Sequence, residues 1–130
     1  MGRGRSSSGR SKSRAGSSIP SAKALEKYAS SGPEKLSEEL TGYHDGQSDM
    51  VVYARNPKTN QLLGYVQYSD YDGKAHIDMI AVREELRGQG IGKRMISRVQ
   101  AGYRTPINWG GTTPDGTALK RSWRRTLRSL

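Results

Sequence analysis

The sequence predicts an α/β fold of the α+β kind: an antiparallel meander, then a glycine-turn helix, a short strand and a final helix. Three observations predict it. Strand-like runs alternate with turn residues between 50 and 82; a glycine-rich turn then opens an amphipathic stretch; a second amphipathic stretch ends the sequence. A chain of 130 residues fits one domain with one core.

Each element has a local reason. In 21–30, Ala22, Leu25 and Ala29 fall on one helical face. Ser31-Gly32-Pro33-Glu34 has the form of a capping box, so a second short helix is expected, with Leu36 and Leu40 inward and Gly42 as its stop. A polar link, 43–48, follows. Met50–Arg55 and Leu62–Tyr68 are strand-like and are separated by a turn at 56–61. Asp70–Lys74 contains an Asp-Gly pair before the apolar strand Ala75–Val82. Simple alternation on that strand puts His76, Asp78, Ile80 and Val82 on one face and Ile77, Met79 and Ala81 on the other. Beyond the glycine turn, Ile91, Met95 and Val99 form an apolar stripe with Lys93, Arg94 and Arg98 solvated, and Gly102 lies just past the helix end. Pro106–Trp109 is a short strand. Thr113 then serves as N-cap and Pro114 as first residue of a helix whose buried stripe is Leu119, Trp123 and Leu127.

Charge is placed unevenly. The net +10 comes from 22 basic and 12 acidic residues. Arg3, Arg5, Arg10, Lys12 and Arg14 have no acidic neighbour in the first twenty residues, and Lys120, Arg121, Arg124, Arg125 and Arg128 have none after 116. The stretch between is neutral. Residues 1–19, almost entirely Gly, Ser and Arg, offer nothing to offset the entropy of ordering and are expected to be a disordered basic arm; 20–130 is the folded domain. Basic ends of this kind suit nucleic acid or an acidic partner. With no Cys, disulfides, thiolate metal sites and a cysteine nucleophile are excluded. His44 and His76 are too few for a metal centre, and none is expected. No apolar run approaches a membrane span, so a cytoplasmic protein is expected.

A strand that runs into glycines and then a helix makes an anion cradle: backbone N–H groups converge, the helix dipole favours negative charge, and glycine lets phosphate approach. Arg87-Gly88-Gln89-Gly90-Ile91-Gly92 fits neither the Walker spacing, since Arg87 occupies its first glycine position, nor the dinucleotide spacing. The run Ile77–Gly92 instead resembles the central motif of the GNAT acetyltransferases: a strand ending in a small apolar pair (Ala81, Val82), a four-residue link, and Arg87, Gly90 and Gly92 at a helix start. The resemblance extends over 49–127 by element order and is specific across 77–100.

The resemblance implies a GNAT-like mixed sheet and an N-acetyltransferase that moves an acetyl group from acetyl-CoA to an amine of a protein or other macromolecule. It further implies that Arg87, Gly88, Gln89, Gly90, Ile91, Gly92 and Lys93 hold the coenzyme A pyrophosphate and that Ile80, Ala81 and Val82 pair with the pantetheine arm. The family's strand glutamate has His76 or Asp78 near its position, either of which could act as base. The family's helical tyrosine, donor to the leaving thiolate, is replaced by Lys120 in Gly116-Thr117-Ala118-Leu119-Lys120, which could contact a phosphate or protonate the thiolate; the tyrosine's role could also pass to Tyr103 or to no side chain at all. No strand matching the family's first is evident in 19–48, and the expected acceptor side is trimmed, which suits a large substrate or a homodimer that completes the site. The alternative is a non-catalytic GNAT-fold module that binds nucleic acid or an acidic partner through its basic ends.

Overall fold

The computed structural model describes residues 19–110 and 114–130. The expectations of a disordered arm and of a Thr113 cap lie outside these residues. Helix α1 (Ala22–Ala29) starts where Ser21 Oγ accepts the Ala24 N–H at 3.1 Å, as an N-cap should. Four strands follow in chain order, β1 (Lys35–His44), β2 (Gln47–Arg55), β3 (Leu62–Tyr71) and β4 (Lys74–Val82), all antiparallel neighbours. After a short 3-10 turn at Glu84–Leu86 come α2 (Ile91–Ala101) and α3 (Pro114–Ser129). The α+β architecture is the one expected, with one strand more.

That strand is the main correction. Residues 35–44, the body of the expected second helix, are β1, paired with β2 from Lys35↔Arg55 to His44↔Gln47. Glu34 caps nothing because Arg94 takes its carboxylate. Leu40, expected inward, is 59% exposed. The signal for β1 lies in the turn: Asp45 and Gly46 both have positive φ, 46° and 77°, the conformation that suits a two-residue hairpin. Asp72-Gly73 repeats it between β3 and β4.

The core lies on one side of the sheet. Val52, Ala54, Val66, Tyr68 and Ala75 meet Leu25 of α1, Ile91, Met95, Ile96 and Val99 of α2, and Trp123 of α3 in one cluster. Trp123 is 2% exposed, and its ring lies 6.4 Å from that of Tyr28. The two buried polar residues of α2, Ser97 and Gln100, both find partners, whereas Arg98 Nε is buried without one. Ser97 Oγ donates to the Leu25 carbonyl at 2.6 Å. Gln100 Nε2 donates to the carbonyls of Tyr103 and Thr105, while its Oε1 accepts the Ile107 N–H at 3.1 Å. A single side chain thus fixes the path of 103–107. The expected strand 106–109 is reduced by that path to one parallel bridge, His76↔Asn108.

Glu38, exposed along its stem, lies on the core side of β1 with its carboxylate partly buried, where it accepts from Tyr68 Oη and lies near Arg98. Burial pushes its carboxyl above the ordinary 4.5, and the charge of Arg98 opposes that shift. A raised pKa means that the folded state holds the proton more tightly, so this contribution to stability is present at low pH and lost as pH rises through the folded value. Glu38→Gln imitates the protonated acid. Its stability relative to the parent is therefore expected to be higher at pH 7 than at pH 4 in urea unfolding; an equal difference at both pH values contradicts the assignment. Trp123→Ala is expected to lower the unfolding free energy by about 3–5 kcal/mol, as for other buried aromatics cut to alanine, in the same assay.

Candidate functional site

At the N-terminus of α2 the chain makes two left-handed glycines, Gly88 (φ 85°) and Gly90 (φ 86°), the second being the helix N-cap. Only glycine takes this backbone without strain. The turn opens into a cleft of about 470 Å³. One wall is β4 at Ile80, Ala81 and Val82; a second is the turn from Leu86 to Lys93; the third is α3 at Gly116, Ala118, Leu119 and Ser122. A Cβ on Gly92 would lie 3.3 Å from Leu119, so the missing side chain lets α2 and α3 close the back of the cleft.

Nine of the ten residues assigned to cofactor binding by resemblance line this one cleft, and Gln89 does not. The N–H groups of the first helical turn have no intrahelical partner and lie at the positive end of the α2 dipole. Arg87 and Lys93 add two cations to the lining. The edge of β4 is the second feature. Ile77 N–H donates to Asn108 O and Asn108 N–H donates to Ala75 O, both at 2.9 Å. Beyond that pair, residues 78–82 have no strand partner on their outer edge among the described residues. An extended ligand could add there as a strand does.

Where the edge frees itself, β4 carries a bulge. The register steps from Gln67↔Met79 to Tyr68↔Ile77, leaving Asp78 as the extra residue. The expected face assignment is corrected at this point. Ala75 and Ile77 face the core before the bulge and Ile80 and Val82 after it. His76, in register with Ser69, lies on the opposite side. Simple alternation fails because the bulge consumes one residue. Asp78 is exposed, and its Oδ2 accepts from Ser69 Oγ at 2.6 Å; Ser69 itself is buried. Nearby, Tyr65 Oη lies 3.3 Å from Met79 Sδ.

Asp78 is itself outside the cleft lining, and so are the three other catalytic candidates. The His76 ring is 6.4 Å from that of Tyr71 and is not part of the cleft lining. Lys120 is half-buried on α3 and also outside the lining, where Ser122 stands instead. Tyr103 is at the far end of α2. It packs edge-on against Tyr68 with centroids 6.3 Å apart and borders a separate cavity of about 410 Å³ with Leu25 and Arg104. Burial and a hydrogen bond with Asp70 push its phenol well above the usual value, so it remains protonated. Sequence reasoning missed Ser69 and Ser122, which lie in no motif. It also counted Arg94 and Arg98 as solvated, although α1 and the segment after it cover both: Arg94 meets Glu34, and Arg98 Nη2 lies 3.5 Å from Ser30 Oγ.

Among the described residues no group of three or more His, Asp or Glu side chains converges as a metal site requires, and no helix is long and apolar enough to cross a membrane. No curated protein and no solved structure matches the chain. The acetyltransferase (GNAT) family model matches residues 21–123. With that match spanning α1, the four strands, the glycine turn, α2 and most of α3, the chain belongs to the GNAT acetyltransferase family.

Proposed function

We propose that the protein binds acetyl-CoA in this cleft and transfers the acetyl group to an amine of a protein or other macromolecule, with residues 20–130 acting as one unit. The observation that carries the reading is the left-handed Gly88–Gly90 turn opening onto an unpaired stretch of β4. The amides from Arg87 to Lys93 hold the pyrophosphate, with Arg87 and Lys93 as the charged partners. The backbone of Ile80–Val82 holds the pantetheine arm as an added strand. That arm directs the thioester toward the bulge.

Asp78 is the better of the two base candidates. Its carboxylate is oriented by Ser69 and stands on the face away from the helices. It takes a proton from the incoming ammonium; the freed amine attacks the thioester carbon, the C–S bond breaks, and the departing thiolate takes up a proton. His76 is the second candidate, farther back along the same strand. Ser122 stands in the cleft wall and Lys120 does not, so we assign the proton delivery to the Ser122 hydroxyl or to water. None of the residues in the core cluster comes from the far face of the sheet, to which the register assigns Tyr65, Gln67 and Met79. An acceptor side without a cover among the described residues fits a macromolecule, or a second copy of the chain that closes it.

A second reading has its own observation. Arg121, Arg124, Arg125 and Arg128 are exposed on α3 beside half-buried Lys120, and none of the five pairs with a carboxylate among the described residues. They cover one face for roughly 12 Å at 1.5 Å per residue. A polyanion fits there, nucleic acid above all, because guanidinium forks bind phosphate in pairs. In this reading the module holds nucleic acid through that face and the arm residues Arg3, Arg5, Arg10, Lys12 and Arg14.

Two measurements separate the readings. Isothermal titration with acetyl-CoA is expected to give micromolar binding that Gly90→Glu abolishes, since the substitution puts a negative side chain on a left-handed residue facing phosphate; an intact protein that binds nothing overturns the acetyltransferase reading. Fluorescence anisotropy with a duplex of mixed sequence tests the other. A triple change of Arg121, Arg124 and Arg125 to Ser is expected to flatten the log–log salt dependence by about three, with Gly90→Glu leaving it unchanged. A salt dependence equal to the parent's removes α3 from the contact.

A further inference from the structure

Arg94 is nearly buried and does not serve the solvent-facing role that its place in the sequence suggests. Its side chain is 11% exposed and that of Glu34 is 1% exposed. The guanidinium reaches back across 60 residues to form a two-pronged pair with this carboxylate, Nε to Oε2 at 2.5 Å and Nη2 to Oε1 at 2.9 Å. A third bond runs from Nη2 to the backbone carbonyl of Gln89 at 3.0 Å. Two glycines make the slot it occupies. A Cβ on Gly32 would fall 2.1 Å from Arg94 Nε, and one on Gly90 would fall 2.7 Å from Nη1.

We propose that Arg94, locked by Glu34, is a positioning residue for the anion-binding turn: it sets the Gln89–Gly90 peptide so that the Gly90 N–H faces the cleft. This rests on the acetyl-CoA reading above and adds to it a residue that lies outside the motif's glycines. The peptide bond is trans, so its N–H points opposite to its C=O. Arg94 holds the Gln89 carbonyl on the side away from the cleft; Gly90 lines the cleft, whereas Gln89 and Arg94 do not. The amide of Gly90 is thereby aimed at the space a phosphate takes. A turn with two glycine-permitted kinks so close together has several peptide orientations open to it, and a fixed one saves the cost of ordering it on binding. Lysine could not replace the arginine here, because one ammonium cannot bind two carboxylate oxygens in a plane and a carbonyl at the same time. A buried ion pair adds little to stability against apolar residues of the same size; fixing one peptide orientation is a role that the pair, and not its apolar substitute, can perform.

The test compares two ligands that differ in the part the turn would hold. Acetyl-CoA carries the pyrophosphate; S-acetylpantetheine ends before it. Binding of both is measured by NMR titration for the parent, for Arg94→Lys and for the double variant Arg94→Met/Glu34→Met, which removes the pair while keeping the volume and so carries the test if Arg94→Lys fails to fold. The expected result is an acetyl-CoA Kd about tenfold higher in each variant, the worth of one well-aimed hydrogen bond, with the Kd for S-acetylpantetheine unchanged. Equal acetyl-CoA affinity in parent and double variant overturns the inference alone. So does equal weakening of both ligands, which marks general damage to the fold. A parent that binds no acetyl-CoA removes the acetyltransferase reading and this inference together.

Discussion

Burial of α2 against the sheet is the interaction on which the rest of the structure depends. Of the three helices, α2 is the one with substantial contact to β2, β3 and β4, and α1 and α3 are held to the body largely through it. Ile91, Met95, Ile96 and Val99 provide the apolar stripe. Each buried methylene adds about 0.8 kcal/mol to that attachment, so the position of the helix is set more firmly than that of any loop beside it. Both ends of the helix serve the cleft. Its first residues present the free N–H groups of the glycine turn, and Gln100 near its last turn ties down 103–107, which brings Asn108 against β4.

The sheet supplies the opposing constraint. Strand β4 is an edge strand that is capped at one end by Asn108 and unpaired at the other. A long unpaired edge is an aggregation hazard that proteins blunt by bulges and by covering segments. Both devices are present here, the bulge at Asp78 and the cover at 107–109, and what they leave open is residues 78–82, of which Ile80, Ala81 and Val82 line the cleft. The bulge also turns Asp78 toward Ser69 while returning Ile80 and Val82 to the core. One inserted residue therefore separates the wall of the cleft from the face on which an acceptor would arrive.

How far the sequence could be read follows from how local each cause is. Strands β2 to β4, the glycine turn, α2 and α3 announce themselves through periodicity and turn residues within windows of about a dozen residues. The stretch that became β1, Lys-Leu-Ser-Glu-Glu-Leu, has the composition of a helix, and the capping box before it reinforces that choice. Pairing with β2 along its whole length overrides it. The bulge at Asp78 left no mark, since no Gly or Pro attends it, and it inverted the face assignment of half a strand. Arg94 was misread for a different reason: its partner Glu34 is 60 positions away, and helical periodicity alone puts it in solvent. The cleft residues were legible because a motif places them side by side; Ser69 and Ser122 join the site only through tertiary approach.

Helix α3 has two faces, and their arrangement bears on both readings of function. Gly116, Leu119 and Ser122 turn toward the cleft and Trp123 toward the core, whereas Lys120, Arg121, Arg124, Arg125 and Arg128 occupy the remaining arc. The body from 21 to 116 is electrically neutral, so the field near the cleft owes its sign to α3 and to the cations of the turn. Under the two readings proposed above, that field would draw a polyphosphate toward the glycine turn and a nucleic acid toward the outer arc of the same helix. The two ligands would lie on different sides of α3 and need not compete. A polyanion held on the outer arc would bring whatever is bound to it alongside the cleft, where the local concentration of its amines is raised in the way that tethering raises it. The basic helix and the proposed acetyl-transfer site would then be parts of one arrangement, in which the helix would choose the acceptor by its company and Asp78 by its position.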